Sequence, residues 1–155
     1  MPHNGNATPP RSSGTEQSMQ SESSGPAAGG KDAGNSHGEA AANRVCNLRA
    51  ALERLDGDRD LLGMLIAVYL EDSVELETRL SGAVKQQDAA AAERAAHSLK
   101  GLAANFDGLL AVDAAFTIEE AARRQEWEAV HAGLPRLEQA GAQLRRALAE
   151  HQQSR

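Results

Sequence analysis

The sequence predicts an all-α protein, an antiparallel up-down four-helix bundle with a short additional N-terminal helix. From residue 45 onward Ala, Leu, Glu, Arg and Gln dominate, while β-branched and aromatic residues are scarce, a composition that favours helices. Apolar residues recur at intervals of three and four, which is the spacing of one helix face. The connections between these segments are short, so we expect successive helices to pack antiparallel.

The first part of the 155-residue chain differs from the rest in composition. Residues 1–44 contain no Leu, Ile, Val, Phe, Tyr or Trp, but they hold seven Gly, seven Ser and four of the five Pro. Such a segment cannot bury enough apolar surface to offset chain entropy. We therefore expect residues 1–44 to be a disordered tail or linker and residues 45–151 to form one folded domain.

Five helices are predicted, over residues 45–55, 59–87, 89–106, 109–124 and 126–150. Asp58 and Asp88 are candidate N-caps of the second and third helices. Pro135 lies inside the fifth and predicts a kink or a break near it, because proline removes a helical hydrogen bond. The apolar positions that define the inner faces of the second, third and fourth helices are Leu62, Leu65, Tyr69, Leu76, Leu80 and Val84, then Leu99, Leu102, Ala103 and Phe106, then Val112, Phe116 and Ile118.

Charge and cysteine content exclude several classes of protein. The formal net charge of −6 argues against nucleic-acid binding, which requires a clustered basic surface. No apolar run is long enough to cross a bilayer, so we expect no membrane insertion. The single cysteine, Cys46, excludes an internal disulfide framework and a multi-cysteine zinc site, and it fits a reducing cytoplasm.

The residues around His97 form the most informative motif of the chain. Lys100 and Gly101 follow at i+3 and i+4, the positions that neighbour His97 on one helix face. Leu99 and Phe106 lie about 160° and 180° around the helix from His97, so the imidazole should face solvent, opposite the core. A neutral imidazole beside a lysine is a suitable phosphoryl acceptor, and Gly101 leaves room for a second protein to approach.

The surface around this histidine is predicted to be low in relief. We expect a partner protein to dock on the residues within about 60° of His97 around the helix, which besides Lys100 and Gly101 are Ala90, Glu93, Arg94, Ala104 and Gly108. A lone histidine on a helix is more often only solvated, and it is the lysine, the glycine and the small residues that favour function here. Glu93 and His97 could share a metal ion, but two ligands on an open surface make a poor site, so no metal is expected.

The run Ala96–Gly101, followed by Ala103–Asn105, resembles the histidine-containing phosphotransfer (HPt) domains of bacterial multistep phosphorelays. The resemblance extends over nearly all of residues 45–150. It is carried by the opening helix and turn at Leu52–Leu55 and Gly57–Asp58, the aromatic and acidic run Tyr69–Asp72, Asp88 nine residues before the histidine, and Ile118–Ala122, which resembles a Leu-Glu-x-Ala segment. Asn105–Gly108 departs from the family pattern, since the glycine is shifted by one place and Asp107 stands at the turn.

The resemblance implies a signalling role. His97 would accept a phosphoryl group through Nε2 from the phosphoaspartate of a receiver domain and pass it to another receiver, with Lys100 stabilising its charge and Gly101 giving access. The acidic pocket and the Mg²⁺ would belong to the receiver, because no carboxylate cluster is evident beside His97, so the chain would need no cofactor of its own. The expected partners are response-regulator receiver domains and a hybrid sensor histidine kinase. A single exposed site is compatible with a monomer, and because the sequence shows no glycine-rich nucleotide loop the chain would not be an enzyme with its own nucleotide site.

Two other functions stay open on the sequence alone. The chain could be a helical adaptor that binds a receiver or a kinase without carrying phosphate. It could also be the phosphoacceptor domain of a chemotaxis-type kinase, which receives phosphate directly from a catalytic domain.

Overall fold

The computed structural model describes residues 33–154, with side chains from residue 36 onward. Over this range the chain is all-helical and contains no strand, as the sequence predicts. None of these helices combines the length and apolar character needed to span a membrane. The helices are α1 (Ala33–Val45), α2 (Leu48–Arg54), α3 (Arg59–Lys85), α4 (Ala89–Ala104), α5 (Leu109–Arg123) and α6 (Trp127–Gln153).

Side-chain caps define where α3 and α4 begin. Asp58 accepts hydrogen bonds from the backbone N–H groups of Asp60 and Leu61 at the start of α3, and Asp88 accepts one from Ala91 at the start of α4. Both caps were predicted, and each satisfies backbone donors that the first turn of a helix leaves unpaired.

The helices pack in chain order and then close on themselves. α3 contacts α4, α4 contacts α5, α5 contacts α6, and α6 returns to α3, while α2 contacts α3 and α1 contacts α5 and α6. The up-down four-helix bundle stays a prediction that is consistent with these contacts. The residues predicted to face inward that are buried are Leu62, Tyr69, Leu80, Val84, Leu99, Ala103, Phe106 and Ile118, while Leu65, Leu76, Leu102 and Val112 are partly buried.

Phe116 is not a core residue, contrary to the sequence prediction. Its side chain is 50 % exposed, and the Lys100 ammonium lies 5.2 Å from the centre of its ring. The reason is that small residues fill the buried face of α5, so the larger aromatic ring stands at the edge of that face beside α4. The buried apolar residues of α5 are Ala111, Ala114, Ala115, Ile118, Ala121 and Ala122.

The structure also differs from the sequence prediction at the first and last helices. Residues 33–44, expected to belong to a linker, form most of α1, where the alanines of 40–42 favour a helix without a buried face. The remainder of that segment, 1–32, lies outside the described residues. α6 continues through Pro135 without the expected break. Pro135 and His131, whose carbonyl loses its helical partner, are both on the exposed side, where water can satisfy that carbonyl.

Candidate functional site

α4 presents His97 to solvent on the side opposite its buried face. That buried face is formed by small and aliphatic side chains, Ala92, Ala95, Ala96, Leu99 and Ala103. The His97 side chain is 67 % exposed, as the helical geometry predicted. The imidazole is therefore accessible to another protein.

One nitrogen of that imidazole is held by a buried carboxylate. His97 Nδ1 lies 2.8 Å from Oε1 of Glu119 on α5, and Glu119 is only 4 % exposed. Because an ionised carboxylate only accepts hydrogen bonds, Nδ1 carries the proton and donates it. In the neutral ring, Nε2 then has a free lone pair, and it is the nitrogen that Glu119 leaves unoccupied.

Glu119 also contacts two cationic side chains, one from α4 and one from α5. Lys100 Nζ forms an ion pair with Glu119 Oε2 at 2.5 Å, and Arg123 Nη2 lies 3.5 Å from Oε1. Arg123 is shared with other carboxylates, since its Nε donates to Glu93 Oε1 at 2.9 Å and its Nη1 to Glu120 Oε1 at 2.5 Å. The site therefore holds a histidine, a lysine and an arginine around one buried negative charge.

The ionisation of Glu119 follows from these contacts. Burial by itself raises the pKa of a carboxyl group, but the contacts from Lys100 and His97 outweigh this and hold the pKa of Glu119 below its ordinary value. Glu119 is therefore an anion at neutral pH. This preserves its role as the acceptor for Nδ1–H.

A groove between α3 and α4 borders His97 on the other side. Gly101 opens this surface, since a Cβ placed there would have no heavy atom within 4 Å. The groove is lined by Asp72, Glu75, Leu76 and Arg79 from α3 and by His97, Ser98, Gly101 and Leu102 from α4. On the α5 side the exposed Phe116 ring lies beside Lys100, so the surface that carries His97 has both apolar and charged side chains.

Most of the residues predicted to surround His97 do lie on this surface. Ala90, Arg94 and Ala104 are exposed, and Glu93 is partly buried and forms an ion pair with Arg123. Gly108 is the exception. α4 ends at Ala104, so Gly108 no longer follows its helical spacing and instead precedes α5.

Gly108 is buried, and its role is in packing. A Cβ there would lie 2.7 Å from Leu144 Cδ2 and close to the backbone oxygens of Ala103 and Val45. The preceding Asp107 takes the left-handed φ of 50°, and its carboxylate accepts a hydrogen bond from Arg54 at 2.9 Å. The departure of 105–108 from the family pattern thus gives a closed turn, and Gly108 is not available for docking.

Besides Arg123, the site residue that sequence reasoning missed is Glu119, which contacts the His97 ring. The sequence contains a signal for it, because Ile118–Ala122 supports the family resemblance and places a carboxylate among the alanines of α5. Although no carboxylate cluster was expected beside His97, one carboxylate contacts its ring directly. The side chain lies 22 positions further along the chain, so only the packing of α4 against α5 reveals the pair.

Comparison with known proteins defines the class to which this site belongs. The model of the Hpt domain family matches residues 64–154, and the chain belongs to that family, whose members are phosphotransfer carriers of two-component signalling. Among solved structures, the chain is similar to histidine-containing phosphotransfer protein B (HptB) from Pseudomonas aeruginosa PAO1. The two share 26% sequence identity with a TM-score of 0.66, over 71% of this chain and 96% of that one. No curated protein sequence matches the chain.

Proposed function

We propose that His97 accepts a phosphoryl group from the phosphoaspartate of one receiver domain and passes it to the aspartate of another. The observation that carries this proposal is the exposed imidazole whose Nδ1–H is held by Glu119 at 2.8 Å. The Nε2 lone pair attacks phosphorus, the bond from phosphorus to the aspartyl oxygen breaks, and the carboxylate leaves with that electron pair. No proton moves in this step, so the phosphorylated ring is cationic and its remaining N–H stays with the Glu119 anion.

The cations beside His97 suit the charge of the group being transferred. Phosphoryl transfer depends chiefly on positioning and on neutralising the phosphoryl oxygens. Lys100 lies one helical turn from His97, and its side chain is 26 % exposed, so its ammonium can turn from Glu119 toward the phosphoryl oxygens. Arg123 is half exposed on the same face and is a second candidate for this contact.

The surface around His97 supports docking of a receiver. We propose that the receiver approaches over Gly101 and contacts Ala90, Glu93, Arg94 and Ala104, and that it brings the acidic pocket and Mg²⁺. In this proposal the chain itself binds no cofactor or nucleotide. It acts as a cytoplasmic monomer of four-helix-bundle architecture between a hybrid sensor histidine kinase and a response regulator.

Phosphoryl uptake tests the proposed acceptor directly. The full chain is incubated with a phosphorylated receiver domain and Mg²⁺, and acid-labile phosphate on the chain is measured over time. We expect uptake by the unaltered chain and none by His97→Gln. The matched control is His131→Gln, which replaces another exposed histidine, on α6, and should take up phosphate normally. Equal uptake by His97→Gln would contradict the proposal.

Access to the histidine is tested by a pair of glycine substitutions. Gly101→Leu should slow transfer from the receiver while leaving the fold intact, because a Cβ there has no heavy atom of this chain within 4 Å but a side chain would obstruct a docked partner. Gly82→Leu is the control, since Gly82 on α3 is equally free of neighbours and lies outside the His97 surface. Equal rates for the two variants would exclude the access role of Gly101.

Receiver binding without any phosphoryl uptake by the unaltered chain would instead favour the adaptor function.

A further inference from the structure

A second crevice lies where α2 meets the beginning of α3 and the end of α6. It has a volume of about 260 Å³ and is lined by Leu48, Arg49, Leu52, Arg59, Leu62 and His151. α4 and α5, which carry His97 and Glu119, contribute none of these residues. The crevice is therefore separate from the proposed phosphotransfer site.

The floor of this crevice is apolar. Leu62 is buried, with 3 % of its surface exposed, while Leu48 and Leu52 are partly buried and pack against the core. These three leucines come from two helices and face the same opening. The floor thus offers contact to an aliphatic side chain from outside.

The lining of the crevice carries two arginines and no acidic residue, in a chain whose net charge is −6. Arg49 and Arg59 are exposed and His151 is partly buried, and none of the lining residues is acidic. Arg49 does contact Glu53 at 3.2 Å, but their side chains are 90 % and 67 % exposed. Exposed pairs of this kind are weak, so Arg49 is free to exchange that partner for another carboxylate.

We propose that this crevice binds a short acidic peptide segment of a partner protein. An aliphatic side chain of the segment would rest on the leucines, and flanking carboxylates would pair with Arg49 and Arg59. The volume is below the range of about 300–1,000 Å³ that is usual for small-molecule sites, and it suits a single side chain. A partner bound here leaves the His97 surface uncovered, so the chain can hold this partner while it exchanges phosphate with a receiver.

Titration with a defined peptide tests the site. The probe is a capped peptide with a central leucine and two glutamates on each side, added to the full chain while backbone amide NMR signals are recorded. We expect saturable shifts at residues 48–52, at 59–62 and around His151. A peptide with lysines in place of the glutamates should cause no such shifts. The proposal is overturned if the acidic peptide shifts no signals in the crevice, or if the lysine peptide shifts them equally.

Charge reversal separates this site from the general surface charge. The double variant Arg49→Glu with Arg59→Glu should raise the dissociation constant of the acidic peptide about tenfold or more. Arg136→Glu makes a charge reversal at an exposed position of α6 away from the crevice and should leave binding unchanged. Unaltered binding to the double variant contradicts the proposal, and Arg49→Gln with Arg59→Gln repeats the test if the amide spectra show that the glutamate variant is unfolded.

The same double variant keeps this inference distinct from the phosphotransfer function. Phosphoryl uptake from the receiver should be equal in the double variant and in the unaltered chain, because no residue of the crevice contacts His97 or Glu119. Loss of peptide binding with normal uptake supports the crevice. Normal peptide binding in a chain that takes up no phosphate would leave the crevice supported and exclude the proposed transfer at His97.

Discussion

Glu119 and Glu77 are both held by cations from a neighbouring helix, at the α4–α5 and the α3–α6 interfaces respectively. Glu77 pairs with Arg145 at 2.5 Å, with side chains 19% and 22% exposed. Glu119 pairs with Lys100 at the same distance, but its second oxygen also holds the His97 ring. Glu77 thus belongs to an ion pair that links two helices, whereas Glu119 orients a group whose other nitrogen faces solvent. The difference shows that the exposed imidazole, more than the buried ion pair, defines the site.

The largest effect that separates the two glutamates should be on phosphoryl transfer. Glu119→Ala should slow uptake at His97 by about ten- to a hundredfold, since a hydrogen bond to a charged group contributes about 1.5–3 kcal/mol and each 1.4 kcal/mol is a factor of ten in rate. Glu77→Ala should leave the rate unchanged. The measurement is the initial rate of phosphoryl transfer from a receiver at saturating Mg²⁺.

The conservative variant distinguishes the position of the Glu119 oxygen from its negative charge in this experiment. Glu119→Gln retains an oxygen that can accept the proton of Nδ1, so it should recover most of the lost rate. A slow Gln variant would show that the negative charge of Glu119 matters more than its position. Equal rates for Glu119→Ala and the unaltered chain would contradict the positioning role altogether.

The second effect is a loss of stability, and it concerns Glu77 rather than the rate of phosphoryl transfer. Glu77→Ala should lower the free energy of unfolding by about 1–3 kcal/mol, because Arg145 loses its partner in a partly buried interface. This loss lies between those measured for exposed and for fully buried ion pairs. Urea denaturation gives this value. Arg79→Ala is a suitable control, because it breaks the exposed pair of Arg79 with Glu75 on α3 and should cost less. If Glu77→Ala and Arg79→Ala lower the free energy of unfolding equally, the α3–α6 ion pair contributes no more to stability than an exposed pair.

The exposure of His97 and its contact with Glu119 differ in how far the sequence predicts them. Helical spacing and the caps at Asp58 and Asp88 place α3, α4 and α5 within two residues of their observed ends. The exposure of His97 follows from the same spacing, because it depends on one helix alone. The contact with Glu119 depends on how two helices pack, and spacing within either helix carries no information about it. For the same reason the sequence predicts Phe116 in the core, since only the packing shows that alanines already fill that face of α5.

A smaller effect contrasts Gly101, on the exposed surface beside His97, with Gly141 at the α3–α6 interface. Gly101→Ala should stabilise the fold by about 0.5–1 kcal/mol, the usual cost of glycine within a helix, because its Cβ meets open space. Gly141→Ala removes the same cost of glycine within a helix. Its Cβ, however, would lie 2.5 Å from Glu77 Oε1 and push that carboxylate away from Arg145, which offsets the gain. Urea denaturation should therefore show a net gain for Gly101→Ala only. Equal gains would mean that Glu77 moves aside at no cost.

The smallest effect is the pH dependence of the Glu119 contribution to stability. Because the pKa of Glu119 is lower in the folded protein than its ordinary value of 4.5, the unfolded chain binds a proton more readily as the pH falls. The stabilising contribution is complete above the ordinary pKa and is lost as the pH falls through the pKa of the folded state. The unaltered chain and Glu119→Gln are therefore compared by urea denaturation from neutral pH into this acidic range. The advantage of the unaltered chain should shrink toward acid. An advantage that instead grows toward acid would mean that the fold favours protonated Glu119, which would contradict its role as the anion that holds Nδ1–H of His97.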